Sequence, residues 1–303
     1  MHRRLALPVD LAGRPFTVAE GLAAGLSRGD LRSDVLLRPF SGVRVPRALP
    51  ASTLLTCRAA SLVLPGHAAF DGATAAALLR LPLPRGVLPT SPVVVRVAPG
   101  TPVPRVADVR ARVGPRPPAT SPPRGALSVV HPLEAWAALA TTPGVTVDDL
   151  VVLGDAVVRR TPLAALHGTV AAYAGRSGCR RMREAAALVR ERVDSPQETR
   201  TRLLLVRAGI PEPDVNLAVH ADDGSGWVFR PDLRWLGVKV ALEYDGRDHE
   251  VDDERRSRDQ ARRVVAEQHG WRVLVAVSVD LTRGRVAFLR RVEDVLRGRG
   301  LRW

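Results

Sequence analysis

Residues Arg230 to His249 read R-P-D-L-R-W-L-G-V-K-V-A-L-E-Y-D-G-R-D-H, and the rest of the chain is best read outward from them. Val238 to Asp245 alternates in character and is β-branched at Val238 and Val240, which predicts a strand that Gly246 ends. Successive side chains of a strand point to opposite faces, so Glu243 and Asp245 share one side and Leu242 and Tyr244 the other. Asp232, after Pro231, begins another extended run, and a β-turn at Leu236-Gly237 folds that run back alongside the first. Three carboxylates are thereby expected at one place. Like charges held that close raise one another's pKa, and such a cluster commonly holds a divalent cation or shares a proton. With oxygen ligands alone, Mg2+ or Mn2+ is favoured over zinc.

The flanking sequence predicts a helix opened by Ser195-Pro196-Gln197-Glu198 and running to about Ala208, then strands over Asp214 to Val219 and Trp227 to Arg234. A helix over Asp252 to His269, an apolar strand over Trp271 to Val277 and a helix over Arg285 to Arg297 follow. The order is α-β-β-β-α-β-α. Five short motifs lie along it: Ser195-x-x-Glu198-Thr199-Arg200, Arg230-x-Asp232-Leu233, Glu243-Tyr244-Asp245-Gly246-x-x-His249, Arg258-Asp259-x-x-Arg262 and Gly270-Trp271-Arg272-Val273. On these residues the segment from 195 to about 297 resembles the Vsr-like branch of the PD-(D/E)xK endonuclease superfamily, including the bacterial domain-of-unknown-function family numbered 559.

The resemblance implies an α/β domain of restriction-endonuclease type that hydrolyses DNA phosphodiesters with Mg2+ or Mn2+, in DNA repair or in defence against phage and other foreign DNA. It places Asp232, Glu243 and Asp245 at the metal and Glu198 beside them on the first helix. Asp245 stands where the superfamily carries a lysine, two residues after the motif glutamate. Vsr-like enzymes also lack that lysine and use a histidine, which His249 supplies here. Arg258 and Arg262, spaced i, i+4, share a helix face suited to phosphate.

With 303 residues the chain is long enough for more than one domain, and 46% hydrophobic content is ordinary for a globular protein. A formal charge of +14 favours polyanionic partners. Nearly all of it is arginine, Lys239 being the single lysine, a bias that a GC-rich genome also produces. Cys57 and Cys179 are far apart and form no C-x-x-C pair, which excludes a disulfide scaffold and a cysteine-type zinc site. The apolar run Leu5 to Leu7, ended by Pro8, is too short for a signal peptide or membrane span, so a reducing cytoplasm and no membrane are expected.

Toward the N-terminus, Pro15 to Pro46 reads as a winged helix-turn-helix. Thr17-Val18-Ala19-Glu20 is a capping box, Ser27-x-x-Asp30 opens a second helix to about Ser33, and Val35 to Arg38 with Val43 to Val45 forms the wing through Ser41-Gly42. With its Phe40-Ser41-Gly42-Val43 run, this region resembles the N-terminal domain of AbiEi-type antitoxins. That likeness implies DNA, its own operator or a toxin as partner, with Arg28, Arg32 and Arg38 at phosphates.

The whole chain is read as multidomain α+β, in four parts. Residues 1–50 form the winged helix and 51–130 a small α/β domain whose Pro115 to Pro123 run is a surface loop. Residues 131–194 form a helical connector, on which Arg180, Arg181, Arg183, Arg190 and Arg192 form a face for solvent or, alternatively, for DNA or a partner, and 195–303 the endonuclease-like domain. An alternative remains: a DNA-binding transcriptional regulator or antitoxin-like protein whose nuclease fold performs no chemistry. The missing lysine favours it, and the four acids at 198, 232, 243 and 245 favour the enzyme.

Overall fold

The computed structural model describes residues 6–114, 117–118, 120–124, 127–221, 226–246 and 263–303. The chain forms two units, Met1–Leu150 with His167–Glu184, and Val151–Leu166 with Ala185–Trp303. The described residues are mixed α and β, and among them no helix is long and apolar enough to cross a membrane.

The first unit begins with α1 (Val9–Ala12), β1 (Phe16–Thr17) and α2 (Val18–Ala23). The expected capping box forms: Thr17 Oγ1 accepts from the Glu20 N–H at 3.1 Å, and Glu20 Oε2 accepts from the Thr17 N–H at 2.7 Å. Ser27 and Asp30 make the same reciprocal bonds, yet the second helix is only a 3-10 turn, Asp30–Arg32. Ser33 turns extended at ψ 151° there, and Leu31 is buried with Leu11, Phe16, Leu26 and Leu36. Gly21 allows that packing, since a Cβ on it would meet Leu31 Cδ2 at 2.7 Å. β2 (Leu36–Leu37) and β3 (Val43–Pro46) pair antiparallel through Gly42, at φ 77°, and β1 completes a sheet of order β1-β3-β2.

Next come α3 (Thr53–Ser61), β4 (Ala69–Phe70), α4 (Gly72–Leu78), β5 (Val93–Val97), β6 (Val109–Val113), β7 (Thr120–Arg124), β8 (Leu127–Val130) and α5 (Pro132–Leu139). The five strands form one sheet of order β6-β5-β4-β8-β7. Part of the proline-rich run expected to be a loop is therefore strand β7. It lies at the sheet edge, where prolines lacking an N–H cost no ladder bond on the open side, and its pairing with β8 is shifted between Ser121 and Arg124. On β5, Arg96 is 2% exposed and bonds Asp71 at 2.9 Å and Glu134, while Tyr173 donates to the same Glu134 oxygen at 2.7 Å. Burial pushes the Tyr173 hydroxyl up to about 12. Buried charges persist when paired and bonded in this way.

Three helices follow, α6 (Val147–Val158), α7 (Leu163–Ala172) and α8 (Cys179–Leu188), and the division between the units falls within them. The arginines read as a solvated face are partly engaged. Arg181 donates to the Ala140 carbonyl at the end of α5 at 2.8 Å, and Arg190 to Glu212 at 2.7 Å, because guanidinium groups pair readily with carbonyl and carboxylate acceptors.

The second unit contains α9 (Pro196–Arg207), β9 (Asp214–Val215), β10 (Val219–His220), β11 (Trp227–Phe229), β12 (Leu233–Trp235), β13 (Val240–Asp245), the helical residues 263–268 (α10), β14 (Arg272–Val277) and α11 (Arg285–Gly298). Four strands form a sheet of order β14-β13-β12-β9. Leu233 pairs with Leu242 and Trp235 with Val240, so the expected antiparallel hairpin forms, but with a connection two residues longer than a turn at Leu236-Gly237, which would pair Trp235 with Val238. β13 and β14 run parallel from Val240↔Arg272 to Asp245↔Val277, which demands a crossover between them.

The stretch Trp227 to Arg234, expected as one strand, is two. β11 pairs with β10 in a separate sheet, and the break falls at Arg230-Pro231, where proline offers no N–H to a ladder. Likewise Lys239, left-handed at φ 49°, closes a 3-10 turn over Leu236–Val238 and delays the start of β13. Both faces of β13 are covered. Val240 and Leu242 pack with Trp235, Leu274, Phe288 and Val292, while Ala241 packs with Phe229, Ala266 and Trp271. Trp235 and Trp271 are therefore core residues, and Trp235 donates its indole N–H to the Pro211 carbonyl at 2.7 Å.

Candidate active site

The acids of the second unit are brought together by three local devices. The first is the β12–β13 pairing, which sets Asp232 beside the end of β13. Asp232 Oδ2 accepts the Tyr244 backbone N–H at 2.7 Å, and Tyr244 lies between Glu243 and Asp245 in the strand. The second is the cap of α9. Ser195 is the N-cap and its Oγ accepts the Glu198 N–H at 3.2 Å. Glu198 answers through Oε2, which takes the Asp194 N–H at 2.9 Å rather than that of Ser195. The third is Asn216, whose side chain donates to the same Oε2 at 2.6 Å. Glu198 thus both takes part in the cap of α9 and lines the same cavity as the acids of the sheet.

These residues line one cavity of about 380 Å³, together with Asp194, Trp227, Arg230 and Arg263. Burial pushes the Asp232 carboxyl up to about 6, Glu198, Glu243 and Asp194 push it the same way, and the Tyr244 N–H opposes them. Among the described residues, five carboxylates and two arginines line this cavity. Arg230 meets Asp194 at 2.9 Å. Arg263 Nε stands 3.9 Å from Glu243 Oε2, a long ionic contact, and this buried atom finds no hydrogen-bond partner among the described residues. Trp227, 61% exposed, lies at the same cavity.

The donor set is all oxygen, which fits a hard divalent cation in kind. Asp232, Glu243, Asp245 and Glu198 are the residues that could hold one. Among the described residues, however, no three or more His, Cys, Asp or Glu form a group that could hold a metal. Glu243 faces Arg263, and Glu198 is held by Asn216. His249, Arg258 and Arg262 lie outside the described residues. In the first unit Arg28, Arg32 and Arg38 are exposed, and Arg38 donates to the Arg32 carbonyl. Burial, and then the charge of Arg38, lowers the pKa of neighbouring Arg44.

Sequence reasoning did not single out Asp194 or Asn216. Asp194 precedes a recognised cap, a position from which its N–H commonly meets the first turn. Asn216 sits in a short run with no motif, and only its left-handed backbone, at φ 48°, marks it.

Two uncharacterized proteins of Mycobacterium tuberculosis, from strains CDC 1551 and H37Rv, are each 28% identical to this chain over 173 residues. The match covers 56% of this chain and 59% of each relative, so the chain spans under two thirds of their length. No family model matches the chain, and no solved structure matches it.

Proposed function

We propose that the chain is a metal-dependent DNA endonuclease whose active site is the carboxylate pocket of the second unit. The observation that supports this most is the Asp232–Tyr244 bond, which seats one acid between Glu243 and Asp245 in a cavity that Glu198 also lines. The parallel β13–β14 pair beside antiparallel β12 and β9 accords with the α-β-β-β-α-β-α resemblance.

In this reading Asp232 and Glu243, with Asp245 or Glu198, hold Mg2+ or Mn2+, which when bound polarises the phosphate and lowers the pKa of a water. The chain's own groups do the remaining work. Tyr244 fixes Asp232, and Asn216 fixes Glu198. Arg230 and Arg263 put positive charge at the cavity that seats the phosphodiester, where it offsets charge developing in the transition state. His249 moves a proton, and Arg258 and Arg262 contact the DNA backbone. Arg28, Arg32 and Arg38 of the first unit locate DNA by phosphate contact. Such a protein acts in the cytoplasm, in repair or against foreign DNA.

A second reading is a DNA-binding regulator or antitoxin-like protein with an idle pocket, bound to its operator or to a toxin. Two observations favour it: the described acids form no three-ligand group, and an aspartate replaces the motif lysine. Incubating the full chain with supercoiled and mismatched DNA and Mg2+ or Mn2+ separates the two. The nuclease reading expects cleavage that Asp232→Ala lowers by about 100-fold or more, the loss of roughly 2.7 kcal/mol of transition-state stabilisation. Equal activity in parent and variant removes it, and DNA retention without cleavage supports the regulator.

A further inference from the structure

Asn216 follows β9 and is 6% exposed, in a left-handed backbone conformation that asparagine tolerates better than most residues. From there it bonds in three directions. Its N–H donates to the Asp232 carbonyl at 2.9 Å, and its Nδ2 donates to Glu198 Oε2 at 2.6 Å and to the Arg192 carbonyl at 2.8 Å. Both amide hydrogens are therefore used, one on a candidate acid and one on the loop before α9. The backbone bond ties the same residue to the segment that carries the other acid.

An amide suits this place chemically. Glu198 and Asp232 are like charges lining one cavity, and a neutral donor can hold one of them without adding charge to the pair. No other described side chain donates to Glu198, whose remaining bond is from the Asp194 backbone.

We propose that Asn216 is a positioning residue, which clamps the Glu198 carboxylate to the Asp232 segment and so fixes the acid of α9 relative to the acids of the sheet. As a statement about turnover this rests on the nuclease reading; as a statement about where Glu198 sits it does not.

The test uses two variants of the full chain. Asn216→Gly keeps the left-handed backbone and removes the amide, while Asn216→Asp keeps size and local conformation and sets a negative charge against Glu198. Crystal structures of both are expected to show the Glu198 carboxylate displaced by about 1 Å or more, and misplacement on that scale can cost on the order of 100-fold in rate. Cleavage is accordingly expected to lose about 10- to 100-fold in kcat with KM for DNA little changed, in variants that still unfold cooperatively. Glu198 unmoved in Asn216→Gly overturns the clamp, as does a parent-like kcat in both variants of an active parent. Loss of cooperative folding in both variants also overturns it, by making Asn216 a requirement of the fold instead. A parent that cleaves nothing removes the nuclease reading, while a displaced Glu198 in those variants still upholds the clamp.

Discussion

The Tyr244 backbone N–H meets Asp232 Oδ2 at 2.7 Å, so the acid that begins one strand is held against the middle of the acidic end of the next. The bond compensates only part of what its setting costs. Burial and three neighbouring carboxylates keep the Asp232 carboxyl up at about 6, against an ordinary value of roughly 4.

A carboxyl with a raised folded-state pKa binds its proton more tightly in the folded chain than in the unfolded one. Stability therefore falls as pH rises from roughly 4 to about 6, and the whole cost is present above that window. Asp232→Asn keeps an oxygen for the Tyr244 N–H and removes the charge. Thermal melts are expected to show a gain of a few degrees at pH 8 and almost none at pH 4. The same shift at both pH values contradicts this origin.

A second acid, Asp155, is buried with Arg202 at 3.2 Å, their side chains 1% and 0% exposed. Burial raises the Asp155 pKa, while Arg202, the Arg190 N–H and Thr199 work against it. Arg202 also reaches Glu212 at 2.8 Å. Arg202→Met leaves a buried carboxylate unpaired and is expected to destabilise the fold by about 3–5 kcal/mol. Adding Asp155→Asn is expected to recover part of that. Urea unfolding of the three proteins measures both values, and a single-variant cost below about 1 kcal/mol contradicts the assignment.

Arg28, Arg32 and Arg38 are exposed on the first unit. If they contact phosphates, changing all three to alanine weakens duplex binding about equally for unrelated sequences. It also lowers the slope of log affinity against log salt by about 2 to 3. Unchanged slope and affinity would place DNA contact elsewhere on the chain.

Much of this arrangement was legible in local sequence. The Thr17 and Ser195 caps, the antiparallel hairpin of β12 and β13 and the alternation of β13 follow from bonds or faces set by residues within a few positions. What was not legible depended on distant partners or on backbone states that leave little pattern. Leu31 is drawn into a core built from both sides of its own turn, which stops a helix that its cap alone predicts. Thr120–Arg124 is strand because β8 is there to pair with it. At the site, Asp232, Glu243 and Asp245 were visible as acids at the ends of strands. Asn216 was not, since its importance lies in reaching Glu198, 18 residues earlier.

The central claim is that Asp232 and the acids beside it serve a divalent cation, and Mn2+ binding tests it most directly. Titrating the full chain and its Asp232→Ala variant with Mn2+, read by electron paramagnetic resonance of the free ion, is expected to give saturable binding in the parent and a loss of about tenfold or more in affinity in the variant. No saturable binding by the parent, or equal binding by both proteins, contradicts the claim.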